Sequence, residues 1–417
     1  MSNKKEEITH LETIRNIRSE AIEATKKYLE NYVGKAALKN PGLHSIFEST
    51  LKLGEGEPHA RIIRKNTCIM SRSAIIMDIG NLYAKVGFAE EATPRFVCTS
   101  PFINLQKDLN YFRLSDDIRE HTIRVCLIRF FNVIYQQYLL TDSRQRPVVL
   151  LQNIYSGIVG SVPYKSVLSV LFKHFKVPSI SLVCTQLACL FTKSPLVYCL
   201  KTVKGEKLRN EKESIFKKVN QIFLVVDLGY LECRILPVAY ATPLTSALQI
   251  SSCLGGKFID GMYKSYIKKD MGLAEFATNC LLEGHNLLND EEYLNLPELI
   301  LESVLTSPID LRALLLSNIV LCGGNCSYPN FSQSLLTKLR ETINSQENKY
   351  YRLKALAGGV SLSKNVKGAI LPIFMPWTGA SIYGTLNELL KKKGLSKEDF
   401  LNGTLDKEEL DAVAIYY

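Results

Sequence analysis

The chain has 417 residues, 46% of them apolar and 22% charged, with a net charge of +10 and a pI near 8.9. That length and apolar content provide for a sizeable core in two or more sub-domains, which excludes a chain that is disordered throughout. Eleven cysteines with no C-x-x-C pair, several inside apolar runs (Cys126, Cys184, Cys189, Cys233, Cys322), exclude a disulfide scaffold and fit free thiols in a reducing, intracellular compartment.

Residues 1–70 form an N-terminal extension. Ile8, Leu11, Ile14, Ile17 and then Tyr28 and Tyr32 recur at helical spacing, so 9–33 reads as an amphipathic helix. Pro41, Gly42, Gly54, Gly56 and Pro58 break the pattern into loop or disordered chain. Met70, just ahead of the first strand, leaves an alternative start open. Residues 1–10 carry both charges and no apolar segment, so secretion is not expected. No uninterrupted apolar stretch approaches the roughly 18 residues of a membrane span.

The run 74–79 predicts a strand ending in D-I-G, and 222–228 a second ending in D-L-G. Laid together, IIMDIGNLYAKVGF and LVVDLGYLECRILP pair Asp78 with Asp227, Gly80 with Gly229, Leu82 with Leu231 and Lys85 with Arg234. This long-range repeat predicts two similar halves. Between them, helices are expected at 117–139 and 164–175 around the apolar run 147–151, then an exposed charged insert at 201–220. After Gly255-Gly256 come a helical segment, a helix over 296–317, a strand over 318–322 ending in Gly323-Gly324, and a helix over 331–342. W-T-G-A-S-I-Y-G (377–384) leads into a last helix ending near the lysines 391–393.

A strand that ends in Asp-x-Gly and turns back as a hairpin points backbone N–H groups at a phosphate, and its carboxylate suits the water shell of a magnesium ion. Asp78, Gly80, Asn81 and Lys85 supply one such loop; Asp227 and Gly229 supply the other, followed by bulky Tyr230 and Leu231. Gly323-Gly324 suits the adenosine side. Asp-x-Gly is also a common strand-to-turn signal and Gly-Gly a common strand end, so a purely structural use of each stays open. There is no G-x-x-x-x-G-K-[ST], H-E-x-x-H or G-x-S-x-G, and the six histidines have no metal-ligand spacing. The positive balance favours acidic protein surfaces as partners; equally, the basic residues are spread over solvated faces, since only short runs cluster.

In order and spacing, D-x-G-x-x-x-x-K-x-G-F-A (78–89), Pro94-Arg95, Val177-Pro178, the second D-x-G, C-G-G-N-C-S-Y-P (322–329) and W-x-G-x-S-I (377–382) resemble actin and the actin-related protein family. The resemblance covers residues 71–403. Within the family, V-L-F-K-H-F-K-V-P-S and S-P-I-D-L-R are most similar to the dynactin pointed-end branch. The fold it implies is α/β: an actin-like duplication with a ribonuclease-H-like core, of the hexokinase and heat-shock ATPase class. Sub-domain 1 would comprise 71–200 and 366–417 with a vestigial sub-domain 2. Sub-domain 3 would comprise 221–365 with a reduced sub-domain 4.

By that resemblance Asp78 and Asp227 organise magnesium through water, and Gly80, Asn81, Lys85, Gly229, Gly256, Gly323, Gly324 and Tyr328 frame ATP or ADP. Asn81 replaces the family's hydroxyl residue, the water-positioning glutamine aligns with Thr185 beside Gln186, and the assisting histidine aligns with Arg234. The implied role is therefore structural, with nucleotide as a clamp and no enzymatic turnover. Between Ser100 and the helix near Asp117, and again between Gly256 and Asn318, the chain is shorter than the family pattern. Those losses trim the face that receives the next subunit at a filament's pointed end. The implied partners are the actin-related protein 1 filament, dynactin subunit 4 and other pointed-end subunits, with no nucleic acid and no direct membrane contact, in the cytoplasm and cytoskeleton. Two alternatives are an ATP-using enzyme of the same superfamily and a nuclear actin-related subunit of a chromatin remodeller.

Overall fold

A computed structural model describes residues 73–102, 116–153, 163–193, 222–265, 272–284, 294–345, 349–363, 370–385 and 394–401. The expected helix at 9–33 and the insert at 201–220 lie outside the described residues. The chain divides into two compact units, one running to Cys184 and resuming at Ala380, the other spanning Thr185–Gly379.

Unit one is built on a six-stranded sheet ordered β11-β5-β4-β1-β2-β3. Its strands are β1 (Ile75–Ile79), β2 (Tyr83–Phe88), β3 (Phe96–Thr99), β4 (Val148–Gln152), β5 (Ser179–Cys184) and β11 (Leu395–Ser396). β1 and β4 are buried along their whole length, as befits parallel strands covered on both faces. Helices α1 (Asp116–Val133) and α2 (Tyr164–Ser169) fall where the sequence predicts them. Each runs on into a π-helical turn, Ile134–Tyr138 and Val170–His174. Leu127, Phe131, Val167 and Phe172 from these segments share one core with Met77, Val86 and Leu150 of the sheet.

Unit two repeats the plan. Its sheet is ordered β10-β6-β7-β8, with β9 also on β7. The strands are β6 (Ile222–Leu228), β7 (Cys233–Ala239), β8 (Thr242–Pro243), β9 (Gln249–Ser251) and β10 (Ile319–Cys322). In unit one an antiparallel hairpin, β1–β2, carries a parallel neighbour on its first strand, β4. In unit two the hairpin is β6–β7 and the parallel neighbour is β10. The register matches too: Asp78 faces Lys85 across the first hairpin, and Asp227 faces Arg234 across the second. The internal repeat seen in the sequence is thus a repeat of hairpin geometry, in an α/β chain with two sheets.

The remaining helices are α3 (Thr185–Ala188), α4 (Gly256–Ser265), α5 (Leu273–Glu283), α6 (Leu296–Thr306), α7 (Ile309–Ser317), α8 (Phe331–Asn344), α9 (Met375–Tyr383) and α10 (Lys397–Leu401). One expectation is corrected. The helix predicted over 296–317 is two helices, because Pro308 has no N–H to continue the ladder and holds Ser307 extended, with ψ of 155°. Residues 377–383 of the W-T-G-A-S-I-Y segment already lie within α9, and the helix expected after them, ending near 391–393, lies outside the described residues. Gly379 is what allows that helix its close approach, since a Cβ there would overlap the carbonyl of Ala188.

Candidate functional site

In unit one, Asp78 and Lys85 are buried and directly opposite, and Lys85 Nζ lies 2.6 Å from Asp78 Oδ2. The turn between them is closed by Gly80 N–H donating to the carbonyl of Tyr83 at 3.0 Å. A Cβ on Gly80 would stand 2.8 Å from that oxygen, so the hairpin itself already demands glycine. Asn81 sits half-buried at the tip. Asp78, Gly80, Asn81 and Lys85 are therefore one local group.

Unit two uses the same frame with different partners. Arg234, opposite Asp227, forms an ion pair with Glu232, the residue just before β7 begins, and both side chains are under 5% exposed. The carboxylate of Asp227 receives an N–H from Gln186 Nε2 at 2.7 Å. The residue that reaches this carboxylate is thus Gln186, fully buried, rather than the Thr185 of the alignment. Burial pushes the Glu232 carboxyl above the ordinary range; Arg234 opposes that shift and nearby Asp227 adds to it.

Around this hairpin the predicted glycines converge. Gly229 N–H donates to Glu232 O at 3.1 Å, and Gly256 N–H, opening α4, donates to Gly229 O at 3.1 Å. Asn325 Nδ2 donates to the same carbonyl at 3.2 Å, and Tyr328 Oη reaches Asn325 Oδ1 at 3.4 Å. Gly323 adopts φ of +92° with its α-carbon against Leu228, and Gly324 opens the 3-10 turn Gly324–Ser327. Gly229, Gly256, Gly323, Gly324 and Tyr328 are brought together within unit two, and Asp227 lies on the strand that leads into them.

Cys322 stands beside Asp227 in the β10–β6 register, and Cys326 Sγ donates to Cys322 O at 3.0 Å. A hydrogen bond with Cys189 and burial push the Cys322 thiol well above its usual value, and burial does the same to Cys326. Such thiols are inert packing groups rather than nucleophiles. Among the described residues, no group of three or more His, Cys, Asp or Glu side chains is placed to hold a metal ion.

Sequence reasoning missed the Glu232–Arg234 pair. Its signal was present: a Glu and an Arg two apart at the start of an otherwise apolar run are placed to satisfy each other when that run is buried.

Residues 274–402 match the profile of the actin family. The chain carries an actin-family domain. It is 20% identical to actin-related protein 10 of Dictyostelium discoideum over 442 aligned positions, covering 80% of this chain and 86% of that relative. It is 27% identical over 125 residues to actin-like protein ARP6 of Candida albicans, covering 30% of this chain and 25% of that one. Over 103 residues it is 30% identical to actin-related protein 4 of Saccharomyces cerevisiae, covering 24% and 18%. The likeness to an actin-related protein 10 spans four-fifths of the chain, whereas the other two share only a segment. The family match at 274–402 thus lies in the same chain as two hairpins of matching register.

Proposed function

We propose that this chain is a non-catalytic structural subunit that ends an actin-related protein 1 filament at its pointed end, within dynactin, and so supports dynein-driven transport on microtubules. The observation that carries the reading is the connection after β3. That strand ends at Thr99 and α1 begins at Asp116, leaving sixteen residues where the family pattern inserts a sub-domain and its protruding loop. Head-to-tail growth uses two different faces, and continues only while each subunit offers both. A subunit with one face trimmed docks by the other and halts growth. Dynactin subunit 4 and the other pointed-end subunits are the neighbours this role requires, and the cytoplasm is its setting. Among the described residues no helix is long and apolar enough to cross a membrane.

The nucleotide belongs to the same proposal. ATP or ADP with magnesium would be held by Asp78, Gly80, Asn81 and Lys85 of the first hairpin and by Asp227, Gly229, Gly256, Gly323, Gly324 and Tyr328 of the second. Bound, it would supply phosphate charge and a cation; a ligand that binds only the folded state stabilises it by mass action. Asp227→Ala is then expected to lower the melting temperature in magnesium and ATP while leaving end-binding measurable. A purified protein that carries no nucleotide and melts at the same temperature with or without it would show that no clamp exists.

The capping proposal is tested by mixing the purified chain with actin-related protein 1 filaments and labelling it for electron or fluorescence microscopy. Label at one end only is expected. Label along the sides, or none, refutes the reading.

A further inference from the structure

We infer that the 3-10 helix Tyr351–Gly359 of unit two is a docking site for an acidic segment of a partner protein. The sequence motivates the search: no Asp or Glu lies between Glu347 and Glu388, a stretch that includes Lys349, Arg352, Lys354, Lys364 and Lys367. The structure sorts the first of these. Lys349 is engaged, 2.6 Å from Glu302 Oε1, and Tyr350 turns inward with its hydroxyl 3.2 Å from the same oxygen. Leu353 and Ala357 are buried and fasten the helix from beneath.

What remains outside is Tyr351, 63% exposed, with Arg352 and Lys354, also exposed. Residues three apart eclipse in a 3-10 helix, so Tyr351 and Lys354 rise from one side. Arg352 Nε donates to the Tyr351 hydroxyl at 3.2 Å, and its guanidinium lies 5.7 Å from the centre of that ring. The stack holds both side chains before any partner arrives, which lowers the entropy lost on binding. Tyrosine and arginine are also the side chains that carry most binding energy at protein interfaces.

The charge selects the occupant. A guanidinium with donors to spare accepts a carboxylate in fork geometry, and Lys354 beside it adds a second anion site. The anchored surface is a single short 3-10 helix. Single-stranded nucleic acid is instead gripped by grooves that follow several phosphates. A short run of Asp and Glu around one apolar or aromatic residue fits the turn better. The inference goes beyond filament capping and does not depend on it.

The test is fluorescence anisotropy of the full chain with a labelled peptide of about twelve Asp and Glu residues around one Leu, in low salt where surface charges are least screened. Binding is expected, weakened at least about tenfold when the same peptide carries Asn and Gln, and weakened as much by the double substitution Arg352→Glu, Lys354→Glu. Both residues point outward, so the melting curve of the double variant should match the parent. Tyr351→Ala should weaken binding without altering its salt dependence. Equal binding of both peptides, acidic-peptide binding untouched by the double substitution, no binding at all, or tighter capture of an oligonucleotide of equal charge would each overturn the proposal.

Discussion

Arg234→Met removes one half of a buried ion pair and leaves Glu232, 4% exposed, without its cation. Breaking a buried pair from one side costs about 3–5 kcal/mol, because the remaining charge is stranded away from water. For a unit of this size that corresponds to a fall in melting temperature of about 6–20 °C. The pH dependence gives a second handle. Burial already raises the Glu232 pKa above its unfolded value, and without Arg234 the opposing pull is gone, so the shift grows. Between the unfolded and folded pKa values the native state then binds more protons than the unfolded state, so stability falls as pH rises through that window. The deficit of the variant should be smallest at the acid edge of the window and complete above the folded pKa. Urea denaturation of parent and variant at pH 5 and pH 7.5 measures both. A second variant, Glu232→Leu with Arg234→Met, removes both charges and should recover most of the loss, since apolar pairs of similar volume replace buried ion pairs at little cost. A loss below about 1 kcal/mol at neutral pH, or one that does not shrink at pH 5, would refute the buried pair.

Three further perturbations follow from the same geometry. Lys85→Met strands Asp78 in the first hairpin and should cost about 3–5 kcal/mol by urea denaturation, with Lys85→Arg costing much less. Gly323→Ala forces a side chain into φ of +92° against Leu228, and should destabilise by roughly 2–4 kcal/mol, read as a fall in melting temperature. Asn295→Ala removes the capping box at the start of α6, where Asn295 Oδ1 accepts from Glu298 N–H at 3.0 Å. It should cost about 1 kcal/mol, checked by the same melts.

The sequence made the strands around both aspartates legible because each is a short, wholly buried apolar run closed by Asp-x-Gly, a pattern with few other readings. Helices α1 and α2 were legible as periodic segments, but their π-helical ends were not: a π-turn follows from packing demands that leave no compositional mark. The break at Pro308 could have been read locally, yet the apolar residues on both sides of it continue one helical rhythm and masked it. Gln186 was harder. Adjacent residues point to different sides of a helix, and only the folded chain shows that Gln186 rather than Thr185 meets Asp227. Gly80 and Gly229 were read as room for a phosphate. Each is also required by its own turn, where a Cβ would press on the carbonyl three residues on, so these glycines do not by themselves identify a ligand.

The two hairpins share a register and differ in charge, and that difference bears on which of them a cation would stabilise more. In the first, Lys85 and Asp78 neutralise each other directly. In the second, Arg234 is taken by Glu232, and Asp227 receives an amide N–H from Gln186. Asp78 and Lys85 are thus matched one to one, whereas Asp227, Glu232 and Arg234 set two buried carboxylates beside one guanidinium. A buried negative charge is relieved by a proton or by a cation. The raised pKa of Glu232 is the proton route, and a magnesium ion near Asp227 would be the other. The two routes compete, so magnesium should stabilise the chain more as pH rises and Glu232 ionises. That coupling separates a clamp at the second hairpin from a general effect of salt, which would raise the melting temperature equally at pH 5 and pH 7.5.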